Sequence, residues 1–202
     1  MTYDRILKEV KKPNKRLAQL VLQCLLVPVR PLRVEELAEV LAVDFDDEEG
    51  IPRLKPDWRW EEQELALLSA CSSVISIVED GDSRVVQFSH FSVKGFLTSP
   101  RLATASGEVS NYHIDLEPAH TIMAQTCLGV LLQIQDGVDM HTRKDHPARY
   151  AAEHWTTHAQ FREVSSRLHK GMKYLFDESK PHFKVWLTLC DPDTPLVFAW
   201  HI

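Results

Sequence analysis

The sequence predicts a mainly α-helical chain in two parts, with a single β-hairpin in the first part. Three observations predict it. Apolar residues recur at helical spacing in successive blocks from residue 15 onward. Between residues 74 and 88 the period changes to two short β-branched runs around a Gly-containing turn. From residue 117 only the helical period remains.

The first block is Leu17, Leu20, Val21, Cys24 and Leu25, which share one helical face, and Pro28 ends it. After Pro31, the residues Val34, Leu37, Ala38 and Leu41 repeat the pattern, with Glu35 and Glu36 well placed against a first-turn dipole. Residues 44–60 (DFDDEEGIPRLKPDWRW) lose all period and read as an acidic loop. A third helix is expected over roughly 61–72, from EEQELALLSACS. Val74–Val78 and Arg84–Phe88, separated by Glu79-Asp80-Gly81-Asp82-Ser83, form the hairpin. Ser92, Val93, Phe96 and Leu97 resume a helix that stops near Pro100. Helix, helix, helix and hairpin in this order make a winged helix over residues 15–100, the hairpin covering a three-helix core that could not bury its apolar faces alone.

Residues 101–116 are small and polar and read as a linker. Beyond them, Pro118 opens a helix through Ile122, Met123, Thr126, Cys127, Val130 and Leu131. After a polar break at 135–146, Pro147 opens another with Ala148, Ala151, Ala152 and Trp155. Val164, Leu168, Met172 and Leu175 mark a third, and Ser179 and Pro181 precede a last one through Phe183, Trp186, Leu187 and Cys190. Residues 117–192 are thus a helical segment of short helices able to pair, and 193–202 an irregular tail.

Composition narrows the function. With 44% hydrophobic and 26% charged residues the chain has ordinary globular content, and its net charge of -6 gives no general attraction to nucleic acid or anionic lipid. Its 7 glycines leave little backbone for phosphate-cradling loops. Cys24, Cys71, Cys127 and Cys190 form no CxxC pair and read as core thiols in a reducing compartment, with a cytoplasmic location expected. No stretch approaches the roughly 20 apolar residues of a membrane span, and no membrane partner is expected.

The blocks KPNKRLAQLVLQCLLVPVRPLRVEELAEVLAVDF, SVISIVEDGDSRVVQFSHFSVKGFLTSPRL, YHIDLEPAHTIMAQTCLGVLL and ARYAAEHWTTHAQFREVSSRLHKGMKYLFDESKPHFKVWLTLCD occur in one order and cover nearly the whole chain. Together they resemble the region that follows the ATPase domain in fungal NACHT-domain signalling proteins, STAND-type NTPases that often carry ankyrin repeats. The resemblance implies a non-catalytic regulatory module that closes over the nucleotide domain at rest. Its partners would be a NACHT ATPase domain in cis or trans and other proteins. It implies no cofactor in this chain and ADP or ATP in the ATPase domain. Residues 1–14 are then a linker or helix from that upstream domain, which this chain lacks: GxxxxGK[ST] occurs nowhere. No ankyrin signature follows, and TPLVFAWHI does not resemble the family.

His90, in QFSHFSVKGFLTS, follows the second hairpin strand and opens the next helix. This resembles the strand–His–helix junction of MHD-type motifs, with Phe91 where those have Asp. There the implied role is nucleotide sensing in the intact parent, an imidazole N–H donating to a diphosphate oxygen. The plainer reading is a histidine that caps the helix. His154 and His158 are four apart, as zinc ligands can be, but HWTTH lacks the HExxH acid, so interhelical polar contacts are expected, with Trp155 in the core. His141 and His146 lie in the polar break with nothing to fix them. Ser89, His90 and Ser92 form no nucleophile elbow, and Asp44 to Glu49 lack EF-hand spacing. Trp58 and Trp60 flank Arg59 and are expected to fold back on the helices, an exposed partner surface being the other reading.

Arg5, Lys8, Lys11, Lys12, Lys15 and Arg16 are basic enough to meet an upstream ATPase domain, or simply to be solvated. A winged-helix nucleic-acid-binding domain is the alternative function. It is disfavoured because Glu61, Glu62 and Glu64 open the third helix, no Lys or Arg follows through Ser73, and the wing turn adds Glu79, Asp80 and Asp82.

Overall fold

The computed structural model describes residues 3–45, 50–71, 73–134 and 147–190. The order of the main elements follows the periodicity. Helix α1 (Tyr3–Lys8) precedes α2 (Lys15–Leu26), strand β1 (Leu32–Arg33) and α3 (Val34–Val40). A small ladder of β2 (Val43–Asp44) and β3 (Arg53–Leu54) leads to α4 (Gln63–Cys71). Then come β4 (Ile75–Asp80), β5 (Ser83–Phe88), α5 (Ser92–Leu97) and α6 (Pro100–Ala103). The helical region is α7 (Leu116–Gln133), α8 (Pro147–Ala159), α9 (Val164–Leu175) and α10 (His182–Leu189).

The wing is antiparallel, with Ile75 opposite Phe88 and Asp80 opposite Ser83. Gly81 takes φ 60° in the two-residue turn, the left-handed conformation that matches strand twist there. The hairpin gains a third strand, because β1 pairs with β5 through Leu32–Val86 and Arg33–Val85. Two residues are too few to carry a strand period, so β1 was invisible to pattern reading. Straight after it, the Glu36 carboxylate accepts the Arg33 backbone N–H at 2.9 Å and satisfies the start of α3.

Two stretches expected to be irregular carry secondary structure among their described residues. Within 44–60, β2 and β3 pair at Val43–Leu54 and Asp44–Arg53, and Pro56–Trp58 form a 3-10 turn. Within 101–116, expected as a linker, Pro100 opens α6 rather than only ending α5. Ser99 caps α6 by accepting the Leu102 N–H at 3.3 Å, a Ser-Pro helix start. A 3-10 turn over Gly107–Tyr112 follows, and Leu102, Val109, Tyr112 and Ile114 are all buried. Their irregular spacing, diluted by small polar residues, hid them from periodicity. Helix α1, in the segment assigned to an upstream domain, packs on this turn and buries Leu7.

Helix α7 forms the middle of the molecule. Its Ala119, Met123, Ala124, Cys127, Leu128, Val130 and Leu131 are buried on all sides, against α2, α3, α8, α9 and β3. Gly129 lets the β3 backbone come close: a Cβ there would lie 3.5 Å from the Pro52 carbonyl oxygen and 3.6 Å from the Leu54 nitrogen. On the far side, Trp155, Phe176, Phe183 and Trp186 form an aromatic cluster, with Trp155 and Trp186 edge-to-face at 5.6 Å. The Trp186 indole N–H donates to the Ala152 carbonyl at 3.1 Å.

Trp186→Ala removes a buried ring from that cluster and one of the donors to the Ala152 carbonyl. It is expected to cost about 3–5 kcal/mol in urea unfolding. A loss below about 1 kcal/mol would mean that α10 contributes little to the core.

Candidate functional site

The strand–His–helix junction is built locally. Strand β5 ends at Phe88, residues 89–91 turn, and α5 begins at Ser92. His90 Nδ1 accepts the Ser92 backbone N–H at 3.2 Å and lies 2.7 Å from Ser92 Oγ. Tyr3 Oη stands 2.7 Å from the same hydroxyl. Because a backbone N–H only donates, Nδ1 is the acceptor and the neutral ring carries its proton on Nε2. The remaining protons then run in one direction, Tyr3 O–H to Ser92 Oγ and Ser92 O–H to His90 Nδ1. His90 is exposed, its ring lies 4.4 Å from that of Phe91, and Phe91 is 86% exposed.

This geometry makes His90 a side-chain cap of α5. It leaves Nε2–H without a partner among the described residues. Capping and phosphate sensing use different nitrogens, so the two roles do not compete. Ser89 does not join: its hydroxyl donates to the Ser73 carbonyl at 3.4 Å. Neither Ser89 nor Ser92 has a base oriented by a carboxylate.

A second constellation is buried where the winged helix meets the helical segment. His158 of α8 is 0% exposed. Its Nε2 is 2.9 Å from Tyr150 Oη, and its Nδ1 is 3.0 Å from Nδ1 of His120 on α7. Tyr150 Oη in turn accepts the Val29 backbone N–H at 3.3 Å, from the turn after α2. The Tyr150 hydroxyl keeps its proton and a second lone pair to meet His158 Nε2, and one of the two facing Nδ1 atoms carries the proton that the other accepts. Protons on both facing Nδ1 atoms would set two donors against each other.

The surroundings disfavour a charged ring. His120 stacks on Phe161 at 4.1 Å, and His154 meets the Tyr150 ring edge-on at 4.8 Å. The Arg30 guanidinium lies 5.0 Å over the Tyr150 ring and pairs with the buried Glu36 carboxylate at 2.6 and 2.8 Å. Burial, with smaller contributions from His120 and His154, pushes His158 down to about 4. Burial also lowers His120, and lowers His154 against the opposing pull of Glu153. Burial likewise raises Tyr150 and the thiols of Cys24 and Cys127, while Cys71 is pushed up to about 12, so these thiols are not nucleophiles at neutral pH.

The spacing of His154 and His158 points to helix-surface and interhelical polar contacts. The structure gives that role to His158 with His120, a residue the sequence offered no reason to single out. His120 and His158 lie 38 positions apart, and no local spacing joins them. Among the described residues no three His, Cys, Asp or Glu side chains converge as metal ligands. His141, His146 and positions 46–49 of the acidic run lie outside the described residues. A cleft of about 260 Å³ runs beside β3, lined by Arg53, Lys55, Gln133, Tyr174 and apolar neighbours, with no carboxylate, histidine or serine in its wall.

Trp58 and Trp60 correct an expectation: they are 51% and 50% exposed rather than folded back. Arg59 between them turns inward to the buried Glu39, at 2.9 Å, which directs its neighbours outward.

The relay fixes a pH dependence. His158 titrates near 4 in the folded chain and near 6.5 unfolded, so the unfolded chain takes the proton first as pH falls. Its contribution is fully present above about pH 6.5, is lost as pH falls towards 4, and totals about 3 kcal/mol. Denaturant unfolding at pH 7 and pH 5 is expected to differ by at least about 1 kcal/mol, and His158→Gln is expected to remove most of that difference. An unchanged difference in the variant would place the pH dependence elsewhere.

The winged-helix domain of GPI inositol-deacylase is the family whose model matches, over residues 3–109, from α1 into the 3-10 turn. Azaphilone pigments biosynthesis cluster protein L of Monascus ruber is 30% identical over 197 residues, which cover 93% of this chain and 40% of that protein. The chain thus spans about two fifths of that relative's length. No solved structure matches. A match over more than half of the chain, on a helical body with a three-stranded wing, shows that this chain belongs to the GPI inositol-deacylase winged-helix family.

Proposed function

We propose that the chain is a non-catalytic regulatory and interaction module of a nucleotide-switched NACHT-type signalling protein, closing over the nucleotide domain in the resting state. The observation that carries this reading is mechanical. The winged helix and the helical segment share one core through α7, and the His120–His158–Tyr150–Val29 relay ties them at their junction. A body joined in this way moves as a lever, so a displacement at the wing reaches α10.

The residue chemistry agrees. Among the described residues no serine or cysteine is joined to a histidine that a carboxylate in turn orients, and the thiols are buried. In the intact parent, His90 offers its free Nε2–H to a phosphate oxygen while Nδ1 keeps the cap. Lys8, Lys11 and Lys12 are exposed in and just after α1, and they are the residues we assign to contact with an upstream ATPase domain. No helix among the described residues is long and apolar enough to cross a membrane, and the setting we propose is cytoplasmic. Nucleic-acid binding is the weaker reading: α4 starts beside Glu61, Glu62 and Glu64, and Arg84 of the wing is already paired with Glu64. That face repels a phosphate backbone.

Calorimetric titration of the chain into a fungal NACHT ATPase domain carrying the same downstream blocks tests this. Association is expected to be about tenfold tighter with ADP than with a non-hydrolysable ATP analogue. His90→Ala is expected to remove the difference, and Lys11→Glu with Lys12→Glu to weaken both. The chain alone is expected to show no ADP binding at micromolar concentrations. Equal affinity in the two nucleotide states would overturn the switch reading.

A further inference from the structure

The segment before α4 presents two tryptophans in a manner that the regulatory reading does not use. Residues 56–58 form a 3-10 turn, and Arg59 then adopts extended backbone, φ -66° and ψ 135°. Its guanidinium reaches inward, Nη2 at 2.9 Å and Nε at 3.3 Å from Glu39 Oε2, and Glu39 is buried in α3. The rings of Trp58 and Trp60 are left half in water on either side of this anchor, and Leu65, in the first turns of α4, is 64% exposed. Exposing this much of two tryptophans forgoes apolar burial that the fold could have used. The anchor restricts the backbone that carries them, so little conformational entropy remains to be lost on binding.

Arg59 between the rings is already paired with Glu39, and the exposed charges left beside them are carboxylates. Asp57, Glu61 and Glu62 are exposed, and none has a cationic partner among the described residues. Glu64, the next carboxylate, pairs with Arg84, which holds strand β5 of the wing against the start of α4. The wing tip adds Glu79, Asp80 and Asp82. Stacking of single-stranded nucleic acid is the other common use of exposed tryptophans, but its phosphates would meet these carboxylates. An arginine or lysine side chain meets no such conflict, since it is attracted both to a tryptophan face and to a carboxylate.

We propose that the Trp58–Trp60–Leu65 face is a docking surface for a basic segment of a protein partner. In this assignment the indole rings receive its cationic and apolar side chains, and Asp57, Glu61 and Glu62 pair with its charges. The inference rests on reading the chain as an interaction module and needs no nucleotide switch.

Selection of a random twelve-residue displayed peptide library on the full chain, followed by affinity measurement of the enriched peptides, tests it. Enriched peptides are expected to be rich in Arg or Lys with at least one large apolar residue, and to bind more weakly as salt rises. Trp58→Ala with Trp60→Ala is expected to weaken them at least tenfold. Glu61→Gln with Glu62→Gln, which keeps the rings, is expected to weaken them several-fold. Circular dichroism and the unfolding midpoint of each variant establish that it is folded. Neutral or acidic enriched peptides, no enrichment, or undiminished binding by the tryptophan variant would overturn the proposal. So would a twelve-nucleotide poly-dT strand that binds tightly and loses affinity in the tryptophan variant. No ATPase domain or nucleotide enters this measurement, so its result is independent of the association test for the regulatory role.

Discussion

Burying an 18-residue helix on all sides is the constraint that organises this chain. Its apolar residues lie on all sides rather than in one stripe, so every neighbour must supply apolar surface to it. In α7 the buried residues run around the whole circumference, and α2, α3, α8, α9 and β3 each cover a sector. The winged helix therefore does not end at its hairpin. Its open side is closed by α7, and the helical segment is completed by the same element. Gly129 and Gly171 fit this arrangement. At Gly171 a Cβ would lie 3.2 Å from Leu128 Cδ1, so the small residue keeps α9 close to α7.

Polar groups trapped at such a junction must satisfy one another, and the cost of leaving one unmade explains how specific the contacts are. Arg30 enters the junction only with Glu36, whose carboxylate also takes the Arg33 N–H and so starts α3. Tyr150 enters with the Val29 N–H on one side and His158 on the other. Burial disfavours the charged form of His158, which is why its affinity for protons is depressed. One short region between α2 and α3 thus joins the wing strand, the third of the early helices and the helical segment.

The surface follows a different economy. Carboxylates gather near α4 and at the wing tip, while Lys8, Lys11 and Lys12 are exposed in and just after α1. This separation orients any partner more than it stabilises the fold, since exposed pairs contribute about 0–1 kcal/mol each. Arg59 is the exception, because its partner Glu39 is buried, and its effect is to hold two tryptophans outward. Family membership places residues 3–109 among winged helices of GPI inositol-deacylase type.

Elements whose apolar residues repeat over several turns can be read directly from the chain. The face Leu17–Leu25, the hairpin around Gly81 and the stripes through Trp155 and Leu168 are all legible because periodicity is a local property of the chain. His90 was legible as a junction residue for the same reason, since its partner Ser92 is two positions away. Only the tertiary structure decided the rest. Strand β1 exists because β5 offers it an edge, the stretch 101–116 is ordered because α1 covers it, and the outward turn of Trp58 and Trp60 depends on a glutamate 20 residues earlier. The His120–His158 relay depends on two helices whose contact no spacing encodes. Such pairings are fixed by burial in three dimensions, where desolvation makes a polar partner obligatory whatever its distance along the chain.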